Sequence, residues 1–224
     1  MNTKKSPAPA AAAAGTGLRE LNKLDKQQRI KSAARALFSK SSYEAVTLRE
    51  IARQARVAHP TLFLYADDKR DLVLMLFNEE ITRLIEEASR TVRRRGEKRF
   101  VNRVLAFLGV FYTAASRNPT LYRAFFRELT FYYHGKHAKE FHLVRSHVLR
   151  SLEELVSAAQ LSGQISALED AGLIAQHIYF LHSAAIRWWI ADERPRPSKG
   201  IDHLRQLLRL QINGLKPARK SRGA

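Results

Sequence analysis

Five polar side chains between His134 and His147 come at spacings that can do chemistry. His134 and His137 lie three apart, Glu140 follows three further on, and His142 and His147 lie beyond. On a helix such residues can converge on a divalent cation. The segment has no second matched motif, and histidines on a basic helix are ordinarily solvated, so no metal is expected. Catalysis has no motif behind it: there is no Ser-His-Asp order, glycine-rich phosphate loop or HExxH. The chain has no cysteine, which excludes disulfides and thiolate metal sites and fits a reducing cytosol. What remains is charge. Lys and Arg number 39 against 21 Asp and Glu, a net +18. Such a surplus points to a polyanionic partner: nucleic acid, an anionic membrane surface or acidic ligands. No apolar run approaches ~18 residues, so no membrane-spanning helix is expected. Lys4 and Lys5 precede an alanine-rich run interrupted by Pro7 and Pro9, which does not make a signal peptide.

The elements that must position these charges read as helices throughout, so the fold class is all-α. Ile30, Ala33, Ala34, Leu37 and Phe38 mark one helical face over about 25–40. Leu48, Ile51 and Ala52 mark a short helix. Leu72, Val73, Leu76, Phe77, Ile81, Leu84 and Ile85 mark a long one that closes on Arg93-Arg94-Arg95-Gly96, cations and a glycine suited to a helix C-terminus. Helical stretches follow at about 98–116, 119–133, 138–160, 168–191 and 199–214. Residues 1–17, rich in Ala, Pro and Gly, read as a disordered arm, and 216–224 as a basic tail. Either end could be a supplementary phosphate-contacting arm or merely a solvated terminus.

The junction between the short helices is the informative stretch. Thr47 followed by Glu50 makes a capping box that starts a helix. Ala55-Arg56-Val57 breaks that helix, and Pro60 falls in the first turn of the next, where its missing N–H costs little. Two short helices joined by a tight turn, packed through Leu48, Ile51, Ala52, Val57 and Leu62, form a helix-turn-helix. Residues 19–56 carry ten basic side chains against four acidic ones.

In "AARALFSKSSYEAVTLREIARQARV" and "HPTLFLYADDKRDLV" the chain resembles the TetR family of transcriptional regulators, over about residues 26–85. The resemblance rests on the Ala-Ala-x-x-Leu-Phe helix, the Thr-x-x-Glu-Ile-Ala start, the Thr-Leu-aromatic core of the second short helix and the Lys that opens the long one. It implies that Thr47, Arg49, Arg56, His59, Pro60, Thr61, Phe63, Tyr65 and Lys69 face DNA. Arg49 can fork onto guanine O6 and N7, and Lys69 can meet a phosphate at its helix N-terminus. Four positions depart from the family's pattern. Arg56 stands where a turn glycine is usual, Ala58 replaces a capping Ser or Thr, Phe63 a frequent tyrosine and Ala66 a frequent phenylalanine. They point to an idiosyncratic operator.

The domain reading is a helix-turn-helix unit over 18–70, sharing the start of a linking helix at 68–95, then an effector-binding and dimerisation domain over 96–215. The resemblance implies a small-molecule effector site in the second domain, and Phe107, Phe111, Phe125 and Tyr132 are expected to line it, although some of these rings must be plain core. Ile174, Ile178, Leu181, Ala185 and Trp188, with Leu204, Leu208 and Gln211, form two stripes that either pair with a second copy in a four-helix interface or face the protomer's own core. The expected protein is a cytoplasmic, homodimeric, ligand-responsive regulator, a repressor on a palindromic double-stranded operator. It is expected to need no cofactor, touch no membrane and catalyse nothing. A non-specific architectural DNA-binding protein is the alternative, and a helical enzyme or carrier using the aromatic pocket is a further rival.

Overall fold

The computed structural model describes residues 9–128 and 134–214. Among these the chain forms nine helices: α1 (Pro9–Lys40), α2 (Leu48–Gln54), α3 (His59–Leu62), α4 (Lys69–Arg95), α5 (Phe100–Arg117), α6 (Pro119–Glu128), α7 (Ala138–Leu161), α8 (Ala171–Ile190) and α9 (Pro197–Gly214). No strand occurs among the described residues, as the all-α reading expects. One expectation is corrected at the start. Residues 9–17, read as a disordered arm, continue α1, because the alanine run there has the best intrinsic helix propensity of any sequence.

Local chemistry sets most boundaries. The capping box at α2 is complete: Thr47 N–H donates to Glu50 Oε2 at 2.9 Å, and Glu50 N–H donates to Thr47 Oγ1 at 3.2 Å. Asp68 caps α4 through the Asp71 N–H at 2.7 Å, and Gly96 closes it at φ 59°. α8 begins three residues later than its apolar pattern suggests, because Asp170 caps it through the Leu173 N–H at 2.8 Å. The expected helix over 119–133 is seen to Glu128, and the rest of it lies outside the described residues.

Helices α1–α3 form the N-terminal unit around Ile30, Ala34, Phe38, Ile51 and Leu62, all fully buried. α4 continues that core into the second unit, where it packs on α5 and α7, while α7 packs on α8 and α5 on α9. At Gly200 α9 crosses so close to the rings of Tyr112 and Trp189 that an added Cβ would stand 2.6 Å from Tyr112. Only glycine allows that approach.

The candidate nucleic-acid interface and the aromatic cavity

The turn between α2 and α3 is the one the sequence implies. Arg56 has φ 54°, the left-handed region that a glycine would fill without strain. Its geometry is held from α1. The Arg29 guanidinium donates to Ala55 O at 3.1 Å and Arg56 O at 3.2 Å, closing the carbonyl end of α2. Pro60 sits in the first turn of α3, and Ala58, at the N-cap, supplies no side-chain bond.

Along this edge Thr47, Arg49, Arg56 and Pro60 are exposed, and His59 and Thr61 are half-buried. Phe63 is exposed and stands edge-on to the His59 ring at 5.2 Å. These residues form one solvent-facing surface with no acidic side chain projecting from α3 itself. Leu64, next to Phe63 in the chain, is 74% exposed. An apolar side chain in that position can meet a thymine methyl.

Two expected contacts are corrected. Lys69 does not project outward: its ammonium donates to Tyr43 O at 2.8 Å and Val46 O at 3.0 Å and lies 4.2 Å over the Tyr43 ring. Those carbonyls lie on the loop before α2, so Lys69 straps that loop to α4. Tyr65 is half-buried, and its hydroxyl donates to Lys23 O on α1 at 3.4 Å, which turns it away from the exposed edge.

Behind α3 the second unit takes hold of the first. Asp71 is fully buried, and its carboxylate accepts the N–H groups of Asp67 at 2.9 Å, Lys136 at 3.2 Å and His137 at 2.9 Å. Lys136 Nζ donates to Phe63 O at 2.6 Å and pairs with Asp67 at 2.5 Å. His137 Nε2 lies 2.8 Å from Tyr65 O. Residues 136–137 therefore cap the end of α3 from the segment that opens α7. α6 adds a second line of attachment: Asn118 to Ser39 at 2.5 Å, Glu128 to Arg70 at 2.9 Å and an ion pair between Arg127 and Glu44. Apart from Asp67 with Asp71, none of these pairings is visible in the sequence, because the partners lie some 60–80 residues apart and no local signal marks them. The histidine run is thus explained in part by His137. No group of three or more potential ligands among the described residues could hold a metal ion.

The second unit holds a cavity of about 80 Å³ between α4, α5, α6, α7 and α8. Phe111, Tyr122, Phe125, Phe126, Phe141 and Tyr179 supply its aromatic wall, with Ile81, Val148 and Ile186 between them. Phe125 stacks on Phe77 at 3.7 Å, and Tyr122 donates to Glu80 at 3.1 Å. Burial, reinforced by that neighbouring carboxylate, raises the Tyr122 pKa, so it stays protonated. Phe111 and Phe125 line this cavity. Phe107 does not; it is fully buried behind Phe111 and is plain core. Tyr132 lies outside the described residues.

The dimer stripe is also corrected. Ile174, Ile178, Ala185, Leu204 and Leu208 are buried within the protomer, Ala185 to 5% exposure. α8 is apolar on both sides, so periodicity alone cannot say which side turns inward. The outer side carries Leu173, His177, Phe180, Leu181, Ala184 and Trp188, with Phe180 64% and Trp188 69% exposed. Leu181 is half-buried and Gln211 exposed, and both line an open groove of about 340 Å³ between α8 and α9. Trp188 stacks on His203 of α9 at 5.0 Å.

A helix-turn-helix on a three-helix base, joined through one long helix to a second helical unit with an apolar cavity, is the build of a DNA-binding regulator with a small-molecule site. The family described as bacterial regulatory proteins, tetR family, matches residues 30–76. The HTH-type transcriptional repressor KstR of Mycolicibacterium smegmatis is 32% identical over 107 residues, 48% of this chain and 52% of KstR. The chain thus spans about half the length of that relative. The HTH-type transcriptional regulator HbdR of an Aromatoleum species is 26% identical over 182 residues, 76% of this chain and 73% of HbdR. Among solved structures, FadR of Bacillus subtilis in complex with stearoyl-CoA superposes with a TM-score of 0.67 at 19% identity, over 84% of this chain and 98% of FadR. Thermus thermophilus FadR with lauroyl-CoA gives 0.67 at 20% identity, over 88% and 100%. The structural likenesses carry the fold. The chain is therefore similar to TetR-family transcriptional regulators, by family match over residues 30–76 and by fold along most of its length.

Proposed function

We propose that the protein is a ligand-responsive, DNA-binding transcriptional repressor that acts in the cytoplasm as a two-fold dimer on a palindromic operator. The carrying observation is the clamp. Phe63 O at the end of α3 and Tyr65 O in the turn after it are held by Lys136 and His137, and these belong to the segment between α6 and α7, two walls of the aromatic cavity. An occupant of the cavity and a DNA duplex on α3 would therefore act on the same hydrogen bonds. A ligand larger than this cavity would displace its walls, α6 and α7 among them. If it binds the displaced state more tightly, it shifts the population away from the DNA-fitting one.

On the DNA side, Arg49 is the candidate for direct guanine readout, with His59, Thr61, Phe63 and Leu64 completing the major-groove surface. One helix-turn-helix covers little DNA, so a second copy is needed, its recognition unit about 34–36 Å away. The outer face of α8, with Trp188 and Phe180, and the α8/α9 groove are the surface on which the copies meet. The effector class favoured is an acyl thioester or a similarly amphipathic anion. The cavity is aromatic, Arg145 and Arg187 lie on its lining, and the two FadR neighbours hold acyl-CoA.

Selection of binding sites from random DNA with the full chain tests the reading. A recovered palindrome whose complex survives excess random competitor, and is released by lauroyl-CoA, is the expected result. Binding with no enriched motif, abolished by random competitor, would instead fit the architectural alternative.

A further inference from the structure

Among the residues that line the cavity, one buried side-chain nitrogen has no hydrogen-bond partner among the described residues. His182, midway along α8, is 7% exposed, and its Nδ1 makes no hydrogen bond among the described residues. Its ring lies among aromatics, with Phe111 at 5.9 Å and Tyr112 at 5.6 Å between centroids. Burial pushes its pKa down to about 4, so the imidazole is neutral at pH 7, one nitrogen a donor and the other an acceptor. Buried polar groups are nearly always paired, and an orphan that lines a cavity is a place where a ligand completes the bond. The rest of the lining narrows the ligand. Arg145 and Arg187 border the same cavity, and no Asp or Glu does. A carboxylate placed against the neutral imidazole would be buried without a counter-charge. An anion therefore belongs at the arginines, and an uncharged oxygen at His182.

Resting on the effector site proposed above, we infer that His182 recognises an uncharged carbonyl or hydroxyl oxygen on a hydrocarbon effector whose anionic part faces Arg145 and Arg187. His182 is then the specificity-determining residue of the cavity. It separates oxygenated acyl ligands from plain hydrocarbon chains of the same length and charge. The oxygen can be the thioester carbonyl of an acyl-CoA or an oxygen substituent on a free fatty acid.

Two ligand pairs that differ in one oxygen test this by calorimetry on the full chain: lauroyl-CoA against S-dodecyl-CoA, which lacks the carbonyl, and 3-hydroxydodecanoate against dodecanoate. In at least one pair the oxygenated member should bind about 3- to 10-fold more tightly, the worth of one net hydrogen bond; the pair that discriminates identifies the source of the oxygen. His182→Leu should abolish the difference and His182→Gln, which keeps a donor and an acceptor, should retain part of it. Arg145→Gln should weaken both members of the pair alike. Equal binding within both pairs by the unmodified protein would overturn the role of His182 while leaving the effector class standing. Failure of all four ligands to bind would overturn the effector class and this inference with it. Because the first comparison uses unmodified protein, a variant that folds poorly does not shelter the inference.

Discussion

Asp71→Asn should separate DNA binding from effector response. The carboxylate accepts three backbone N–H groups, from Asp67, Lys136 and His137. An asparagine can present its oxygen to only one side, so its NH2 must face a backbone donor on the other. One or two hydrogen bonds to a charged group are lost, each worth about 1.5–3 kcal/mol, and a buried N–H is left unpaired. A net loss of about 2–4 kcal/mol is expected, and at this chain length that corresponds to about 4–16 °C in Tm. Against a total stability of about 5–15 kcal/mol the protein should still fold. The helix-turn-helix keeps its own core and its Arg29 brace, so operator affinity of the folded fraction should change little. The response should change a great deal. Coupling between two sites is typically about 5–150-fold in affinity, and with the clamp open the operator Kd with and without lauroyl-CoA should converge. The assays are thermal unfolding and fluorescence anisotropy on the selected operator. A variant with the Tm and the lauroyl-CoA response of the unmodified protein would refute the reasoning.

Arg49→Ala should cost about 1–3 kcal/mol of operator affinity and relax preference at one base pair per half-site, measured on a panel of point-mutated operators; Lys69→Ala, which removes the strap to Tyr43 O and Val46 O, should lower Tm instead. Arg56→Gly relieves the positive φ, so Tm should hold or rise, by up to about 1 kcal/mol of stability, while a phosphate contact by Arg56 would show as weaker DNA binding. His182 is neutral in the folded chain down to about pH 4 but protonates near 6.5 when unfolded, so its contribution is fully present above pH 6.5 and is lost as pH falls towards 4. The loss is about 3 kcal/mol by linkage and should be absent from urea titrations of His182→Leu. Ala184→Arg, on the outer face of α8, should give a helical monomer by sedimentation that no longer binds the operator, whereas Ala185→Arg, directed into the core, should mainly lower Tm.

What the sequence made legible was local. The capping box at Thr47, the left-handed Arg56, Pro60 in the first turn of α3 and the Gly96 cap each depend on neighbours within four residues, and each stands where the pattern puts it. What it hid depends on distant partners. A lysine at a helix N-terminus suits a phosphate, but Lys69 answers to two carbonyls more than twenty residues away. Asp71 reads as an ordinary first-turn carboxylate, and only the fold brings residues 136 and 137 to it. On α8, Leu173, Phe180 and Trp188 are as apolar as Ile174, Ile178 and Ala185. A period of 3.6 marks both faces and chooses neither, so the choice fell to packing against α7 and α9.

The same geometry says why the cavity has two routes to α3 rather than one. Ile81 lines the cavity and Asp71 opens the same helix ten residues earlier, about 15 Å along an unbroken α-helix. Under the function proposed above, a push on Ile81 would reach Asp71 as a tilt of α4, while a push on Phe125 or Phe141 would reach Lys136 and His137 through the ends of α6 and α7. The two motions meet at one set of hydrogen bonds, the carboxylate of Asp71 with the N–H groups of residues 136 and 137. If α4 and the α6–α7 segment moved together, those bonds would survive and the recognition unit would simply ride along, changing the spacing between the two units of a dimer. If they moved apart, the bonds would break and the end of α3 would lose its cap. In either case a ligand bound equally well before and after the motion would release nothing, because only differential affinity shifts a population. An acyl chain is larger than a cavity of about 80 Å³, so under the function proposed above its walls would have to yield to admit one, and that yielding would supply the difference.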